Sequence, residues 1–477
     1  MVGASDDMAL LEPDICIIGA GSAGLSVAAG AARLGAETVL IEAGAMGGDC
    51  LNVGCVPSKS LIAAAAHAHA MRSGGPFGID PVAPVVHMDR VRRHIDEVIA
   101  GIAPHDSVER FAGLGVGVIR AHGRFSDART VEAGGRTIRA RRFVVATGSR
   151  PAIPPIPGID AVPYLTNETV FASETLPEHL LVLGGGPIGV ELAQAYRRLG
   201  AKVTVLDIGS LLPRDDPELT AVVRRALLDD GIELLERAAI RRVEPGPVVV
   251  IGTAGDEQRI AGSHLLVATG RQPVVAGLGL EAAGIAHDTH GITVDRGLRT
   301  TNRRVYAIGD VAGGPQFTHV AGYHASLVIK SALFRLPARV SDRAIPHVTY
   351  TDPALAQVGL DAATAEQRGI AHEVVRWPFA LNDRARTARA TAGLIKVVAS
   401  PRGRVLGAGI AGAGAGELIL PWVLATERRL KLSTMASLVV PYPTFGEAGK
   451  RAAGEFFAAR LFGERTRKLV AFLRRLG

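Results

Sequence analysis

Two cysteines stand five residues apart in Gly47-Gly-Asp-Cys50-Leu-Asn-Val-Gly-Cys55-Val-Pro-Ser-Lys59. A thiolate is a nucleophile, a soft-metal ligand and one half of a disulfide, so this segment is the first candidate for chemistry. A regular helix would separate the two residues by about 7.5 Å of rise and about 140° of rotation, too far for a sulfur bridge. Joining them therefore requires a distorted turn, which Gly54 permits. Pro57 suits a first helical turn, and a helix start lowers the pKa of a nearby thiol. Two readings stand at this point: a redox pair, or two reduced and buried thiols. The remaining cysteine, Cys16, lies inside the apolar run Ile15-Cys-Ile-Ile18 and reads as a small buried hydrophobe. Three cysteines in 477 residues argue against a secreted disulfide framework and favour the cytoplasm.

The elements around this pair carry a repeated pattern. Asp14-Ile-Cys-Ile-Ile breaks into Gly19-x-Gly21-x-x-Gly24, continues into an Ala-rich helical stretch and ends at Thr38-Val-Leu-Ile-Glu42. In such a unit the first glycine makes the tight turn, the second lets the backbone approach a pyrophosphate, and the third lets helix and strand pack closely. Amides at the helix start hold the phosphates, and the acid ending the next strand accepts bonds from ribose hydroxyls. The pattern returns as His179-Leu-Leu-Val-Leu, Gly184-x-Gly186-x-x-Gly189 and Lys202-Val-Thr-Val-Leu-Asp207, with 23 residues from first glycine to acid in both copies. Two complete units imply two dinucleotides. A carboxylate at Asp207 pairs with the free 2′-hydroxyl of NAD and repels the 2′-phosphate of NADP, so NADH is expected at the second site. Lys202 and Arg214 lie close enough in sequence to leave NADPH possible.

Length and composition agree with this organisation. A chain of 477 residues exceeds one hydrophobic core, and 57 glycines with only 4% aromatic residues suit an Ala/Val/Gly-rich α/β protein. The net charge of +7 comes from scattered basic residues without an aromatic-basic motif, which excludes a nucleic-acid function. Residues 460–477 are the most basic stretch; they read as an amphipathic helix that is either solvated or able to touch a membrane surface or partner. No transmembrane segment is expected, because four glycines interrupt the apolar stretch from Ile15 to Ala32. The acidic start, with Asp6, Asp7, Glu12 and Asp14, lacks the positive charge of a signal peptide. His67 and His69, two apart on a helix, point to different faces, and no metal site is expected.

Further segments complete a resemblance. Ala146-Thr-Gly-Ser-Arg-Pro151, Ala268-Thr-Gly-Arg-Gln-Pro273, Ala307-Ile-Gly-Asp310-Val-Ala-Gly-Gly314 and the run from Val348 to Leu360 follow the cysteine box in order. Together they make the chain resemble, over nearly its whole length, the class I pyridine nucleotide-disulfide oxidoreductases. The resemblance implies an α/β fold: two Rossmann-like domains, binding FAD and NAD(P), plus a C-terminal α+β dimerisation domain. The implied boundaries are 1–150 and 271–342 for the FAD domain, 151–270 for the nicotinamide domain and 343–477 for the interface domain. FAD would be held by Gly19, Gly21, Gly24, Glu42, Thr147, Gly148 and Asp310, with Lys59 near the flavin and paired with Glu191. NAD(P)H would be held by Gly184, Gly186, Gly189, Asp207 and Gly270. Cys50 and Cys55 would form a redox-active disulfide, Cys55 facing the flavin and Cys50 being the more accessible thiol that meets the acceptor.

One segment departs from the family. Relatives that reduce lipoamide or glutathione carry His-Pro-Thr with a Glu five residues after the His, donated across a homodimer. Here the segment is Val440-Pro-Tyr442-Pro-Thr-Phe-Gly-Glu447. A phenol titrates near 10 and an imidazole near 6.5, so Tyr442 is a poor proton shuttle at neutral pH. The expectation is an enzyme that serves a small-molecule or protein disulfide or another acceptor, and reduces lipoamide or glutathione disulfide poorly. Mercuric reductases also lack the histidine, but they carry a vicinal C-terminal cysteine pair, whereas no cysteine follows Cys55 here. A metal or quinone reductase is the alternative; a flavin and thiol redox sensor or electron-transfer partner is the rival of another class.

Overall fold

The structure, a computed structural model, describes residues 10–253 and 255–475, so the acidic start with Asp6 and Asp7 and the final Leu476 and Gly477 lie outside the described residues. The chain divides into two compact units, one of residues 1–184, 198–202 and 239–340, the other of residues 185–197, 203–238 and 341–477.

The first unit is built on a five-stranded parallel sheet ordered Val305–Ala307, Arg142–Val145, Ile15–Ile18, Thr38–Glu42 and Val116–Arg120. Its central strand is the first of the sheet in sequence, and all four of its residues are buried, as a strand covered on both faces requires. Strand order therefore reverses beside Ile18, and the glycine turn leaves the sheet at this switch point, where α/β folds open a ligand crevice. The helix Ser22–Arg33 follows with Ala23, Gly24, Leu25, Val27, Ala28 and Ala31 buried. Small residues on this face admit a second helix, Thr318–Ala332: a Cβ at Gly30 would run into the side chain of Ile329. That close packing carries the start of the second helix, and Thr318 with it, toward the glycine turn.

The same unit holds the parallel pair His179–Leu183 and His264–Val267, and the antiparallel meander Ile240–Glu244, Val248–Thr253 and Asp256–Ala261. A short antiparallel crossing joins Ser149–Pro151 to Arg271–Pro273.

The second unit carries a five-stranded antiparallel sheet ordered Pro346–Thr349, Ala354–Gly359, Val405–Gly412, Leu394–Ala399 and Glu373–Pro378. Helices Leu420–Glu427 and Glu447–Leu461 cover it through Trp422, Ala448, Ala452 and Phe456, which share a core with Phe379, Ile395 and Ile410. Also in this unit, Thr204–Leu206 pairs in parallel with Glu233–Leu235. Helix Pro217–Asp229 begins with Asp216 capping the Glu218 amide at 2.9 Å and proline at its first position, an efficient start. Lys396, buried in the sheet, pairs with Asp216 at 2.6 Å and Glu218 at 2.5 Å, and Arg376 grips Glu218 with two bonds of 2.6 and 2.7 Å.

Candidate active site

The cysteine segment is bent by its glycines. Gly47 and Gly48 have φ of +87° and +58°, a region that L side chains rarely adopt, and the Gly47 amide donates to the Ala20 carbonyl at 2.9 Å. This fastens the segment to the first nucleotide turn, where a Cβ on Gly48 would lie 2.7 Å from the Gly21 Cα. A short helix, Gly48–Asn52, then stops, and a new one begins at Cys55 and runs to Arg72. Between them the chain folds back so tightly that a Cβ on Gly54 would stand 2.8 Å from the Asp49 carbonyl and 3.2 Å from the Cys50 Cα. The broken helix brings the thiols together: Cys50 is hydrogen-bonded to Cys55. Cys55 Sγ lies 3.4 Å from Thr318 Oγ1.

The environment treats the two sulfurs differently. The Cys50 thiol is pushed strongly up, first by its bond to Cys55 and then by burial and the charge on Cys55, while the Thr318 and Ser22 hydroxyls pull it down. These causes favour the protonated form of Cys50. Cys55 opens the helix Cys55–Arg72, where unpaired amides favour negative charge. On the surface of the chain itself Cys55 is exposed and Cys50 half-buried. The reason is local: Cys50 is tucked into the short helix under Ser22 and Thr318, whereas Cys55 stands at the open end of its helix.

Beside the cysteines lies a charged network that sequence reasoning missed. Arg271, only 14% exposed, forms an ion pair with Asp49, the residue before Cys50. Its Nε donates to Ser149 Oγ at 2.7 Å and its Nη2 to the Ser149 carbonyl at 2.9 Å. Ser149 Oγ in turn donates to Asp310 Oδ2 at 2.6 Å, and Arg271 Nε is 3.9 Å from the same oxygen. On its other side Arg271 reaches Asn167 Oδ1 at 3.4 Å, and Asn167 Nδ2 donates to the Val53 carbonyl at 3.1 Å. One guanidinium thus ties both ends of the cysteine turn to Asp310. Burial pushes the Asp310 carboxyl above its ordinary range, partly offset by Ser149 and Arg271 and reinforced by Asp49.

The nucleotide-binding residues repeat their geometry. In the first unit, Gly19 has φ +106° and a Cβ there would collide with the Ala146 carbonyl; Gly184 has φ +110° and would collide with the Ala268 carbonyl. Glu42 accepts the Ala20 amide at 2.5 Å and the Gly44 amide at 2.6 Å. In the second unit, Asp207 accepts the Gly185 and Gly209 amides, each at 2.6 Å. Gly21 meets nothing closer than 3.9 Å and Gly186 nothing within 4 Å, so each leaves room on its outer side for a ligand backbone. In the first unit turn, acid and clearance fit a dinucleotide; in the second unit Asp207 and the clearance at Gly186 do.

The two Ala-Thr-Gly boxes serve the chain crossing. Thr147 Oγ1 donates to the Val274 carbonyl at 2.7 Å and Thr269 Oγ1 to the Ala152 carbonyl at 2.9 Å, a reciprocal pair. Gly148 and Gly270, with φ of +71° and +143°, complete the two turns.

Lys59 lies one helical turn beyond Cys55 and is half-buried. Glu191, expected on a helix, is buried at 6% exposure and accepts the Tyr350 amide at 2.8 Å. Tyr442 is 69% exposed and donates to Asp383 Oδ2 at 3.0 Å, a bond that raises its pKa. Glu447 is held by Arg451 at 2.9 and 3.1 Å, beside an open cavity of about 260 Å³ lined also by Trp377, Leu381, Asn382 and Asp383. Among the described residues no group of three His, Cys, Asp or Glu side chains could hold a metal ion, and no helix is long and apolar enough to cross a membrane.

Two family patterns match the chain: "Pyridine nucleotide-disulphide oxidoreductase" over residues 13–325, and the dimerisation domain of the same family over residues 345–453. A mercuric reductase of Streptomyces lividans is 36% identical over 454 residues, covering 93% of this chain and 96% of that protein. A dihydrolipoyl dehydrogenase of Thermus scotoductus is 34% identical over 457 residues, covering 92% and 96%. Among solved structures, the HOCl-induced flavoprotein disulfide reductase RclA of Escherichia coli superposes with a TM-score of 0.82 at 28% identity, covering 92% of this chain and 99% of that one. LpdA of Mycobacterium tuberculosis gives 0.85 at 27% identity, covering 95% and 100%.

Proposed function

Since the chain belongs to the pyridine nucleotide-disulphide oxidoreductase family, and is an FAD- and NAD(P)H-dependent flavoprotein oxidoreductase, we propose that Cys50 and Cys55 are its redox-active pair. FAD, when bound, supplies the two-electron relay between nicotinamide and disulfide. The rest is done by this chain. Reduction of the disulfide by two electrons and one proton gives one thiol and one thiolate. Cys50 retains the proton and Cys55 carries the negative charge at its helix start. Once that proton passes to solvent, the Cys50 sulfur would attack an acceptor disulfide, forming a mixed disulfide and expelling one acceptor thiol; Cys55 then resolves it, expelling the second and restoring the internal bridge. The contact of the two sulfurs with each other and with Thr318 carries this reading.

Asp310, with Gly19, Gly21, Gly24 and Glu42, is assigned to FAD. Lys59 is assigned to the surroundings of the flavin, a reading supported by its position one turn after Cys55. Gly184, Gly186, Gly189, Gly270 and Asp207 are assigned to the nicotinamide nucleotide, with NADH preferred because Asp207 presents a carboxylate, and NADPH left possible by Lys202 and Arg214. The segment boundaries at 150, 270 and 342 and a cytoplasmic location remain part of the proposal. The dimerisation pattern supports a homodimer in which Tyr442 and Glu447 stand opposite the cysteine pair of the partner subunit.

The acceptor is proposed to be neither lipoamide nor glutathione disulfide, since a phenol bonded to a carboxylate gives up its proton even less readily than a free one. A metal ion is the second reading, favoured by the likeness to mercuric reductases and to RclA, a structure of which is described as a Cu(II) complex. Turnover of NADH with a panel of disulfides, quinones and metal ions decides between them. Cys50→Ser and Cys55→Ser must each abolish reduction of the accepted oxidant; an acceptor reduced equally well by both variants would remove the cysteines from the mechanism.

A further inference from the structure

The end of the chain presents a surface that the redox chemistry does not use. Helix Glu464–Leu473 has no buried residue. Leu469, Val470, Phe472 and Leu473 are each between 49% and 58% exposed, and Leu461 and Phe462 just before the helix are 56% and 66% exposed. At about 100° per residue the four helical side chains share one side of the helix with Thr466, while Arg467, Lys468, Arg474 and Arg475 gather on the other. Arg465 falls between Phe472 and Leu469, on the apolar side. The single carboxylate, Glu464, is paired with Lys468 at 2.6 Å, so the polar face is net basic.

We propose that this helix docks the protein on an anionic lipid surface, with Leu469, Val470, Phe472 and Leu473 entering the headgroup boundary and the flanking arginines and lysine meeting lipid phosphates. Charge complementarity selects this occupant. A basic polar face around an apolar stripe is what lies flat in a membrane interface. A second copy of this helix is the poorer fit, because it would bring its own Arg467, Lys468, Arg474 and Arg475 against these like charges. The family's dimerisation pattern also ends at residue 453, before this helix begins. Ten residues rise about 15 Å, half the thickness of a hydrocarbon core, so the helix lies in the surface and does not cross it.

Flotation of the full-length holoenzyme with vesicles of phosphatidylcholine, with and without phosphatidylglycerol, tests this. The protein should float with the anionic vesicles at least roughly ten-fold better than with neutral ones, and lose most of that binding at about 0.5 M salt, where screening is nearly complete. F472E/L473E and R467E/K468E should each lose it while keeping flavin content and NADH-dependent turnover. Absence of binding to anionic vesicles, or binding that both variants retain, overturns the proposal. So does sedimentation showing that F472E/L473E splits a wild-type dimer into monomers, because the stripe would then be an interface between copies.

Discussion

Arg271 is the residue on which the geometry of the redox segment turns. It joins Asp49, Ser149 and Asn167 and stands near Asp310, so its removal leaves two carboxylates facing each other without a cation. Arg271→Met should cost about 2–3 kcal/mol, less than breaking a fully buried pair because Asp49 is a third exposed, and thermal unfolding with and without Asp49→Asn will show the coupling. Asp310 behaves oppositely. A carboxyl whose folded pKa lies above its unfolded value disfavours folding once ionised; the penalty is absent below the unfolded pKa and complete above the folded one. At pH 7 Asp310→Asn should therefore leave the apoprotein as stable or more so, while flavin retention falls, as melting curves and flavin absorbance on the same samples will reveal. Of these residues only Asp310 was legible in the sequence. Arg271 sat in view inside its Ala-Thr-Gly box, but its partners are 104 to 222 positions away and no local pattern joins them.

Among the elements, the helix break between Asn52 and Cys55 followed from the spacing once the resemblance implied that the two cysteines pair, because five residues of regular helix cannot bring two sulfurs together. The helix carrying Thr318 could not. Its approach depends on Gly30 fitting against Ile329, a match of surfaces far apart in sequence. The link between helix Pro217–Asp229 and the antiparallel sheet was likewise hidden. There Arg376 and then Lys396 hold the Glu218 carboxyl down at about 2. A depressed carboxyl adds stability above its unfolded pKa and loses it as pH falls through the folded value, so this contribution persists until about pH 2; Glu218 is partly exposed and solvent screens much of it. Lys396→Met should cost more, about 3–5 kcal/mol, because it strands Asp216, which is nearly inaccessible to water. Lys396→Met/Asp216→Asn should recover part of that loss in urea unfolding.

At the scale of the whole molecule, the repeated glycine units announced two nucleotides and the order of the motifs announced the family. The acceptor was not announced, because a motif does not encode the surface chemistry that would select it, which we propose lies around Tyr442 and Glu447. Lipoamide and glutathione disulfide should be turned over well below about 10 per second. Tyr442→His should raise kcat/KM for lipoamide at pH 7 by roughly ten-fold or more, since imidazole titrates near neutrality; an unchanged value would place Tyr442 away from the acceptor. The most direct test of the account is thiol accounting by mass spectrometry. The air-oxidised holoenzyme, alkylated anaerobically before and after one equivalent of NADH, should gain two labels on reduction, at Cys50 and Cys55. Equal labelling of both cysteines in the two samples would show that electrons from the nicotinamide never reach the pair.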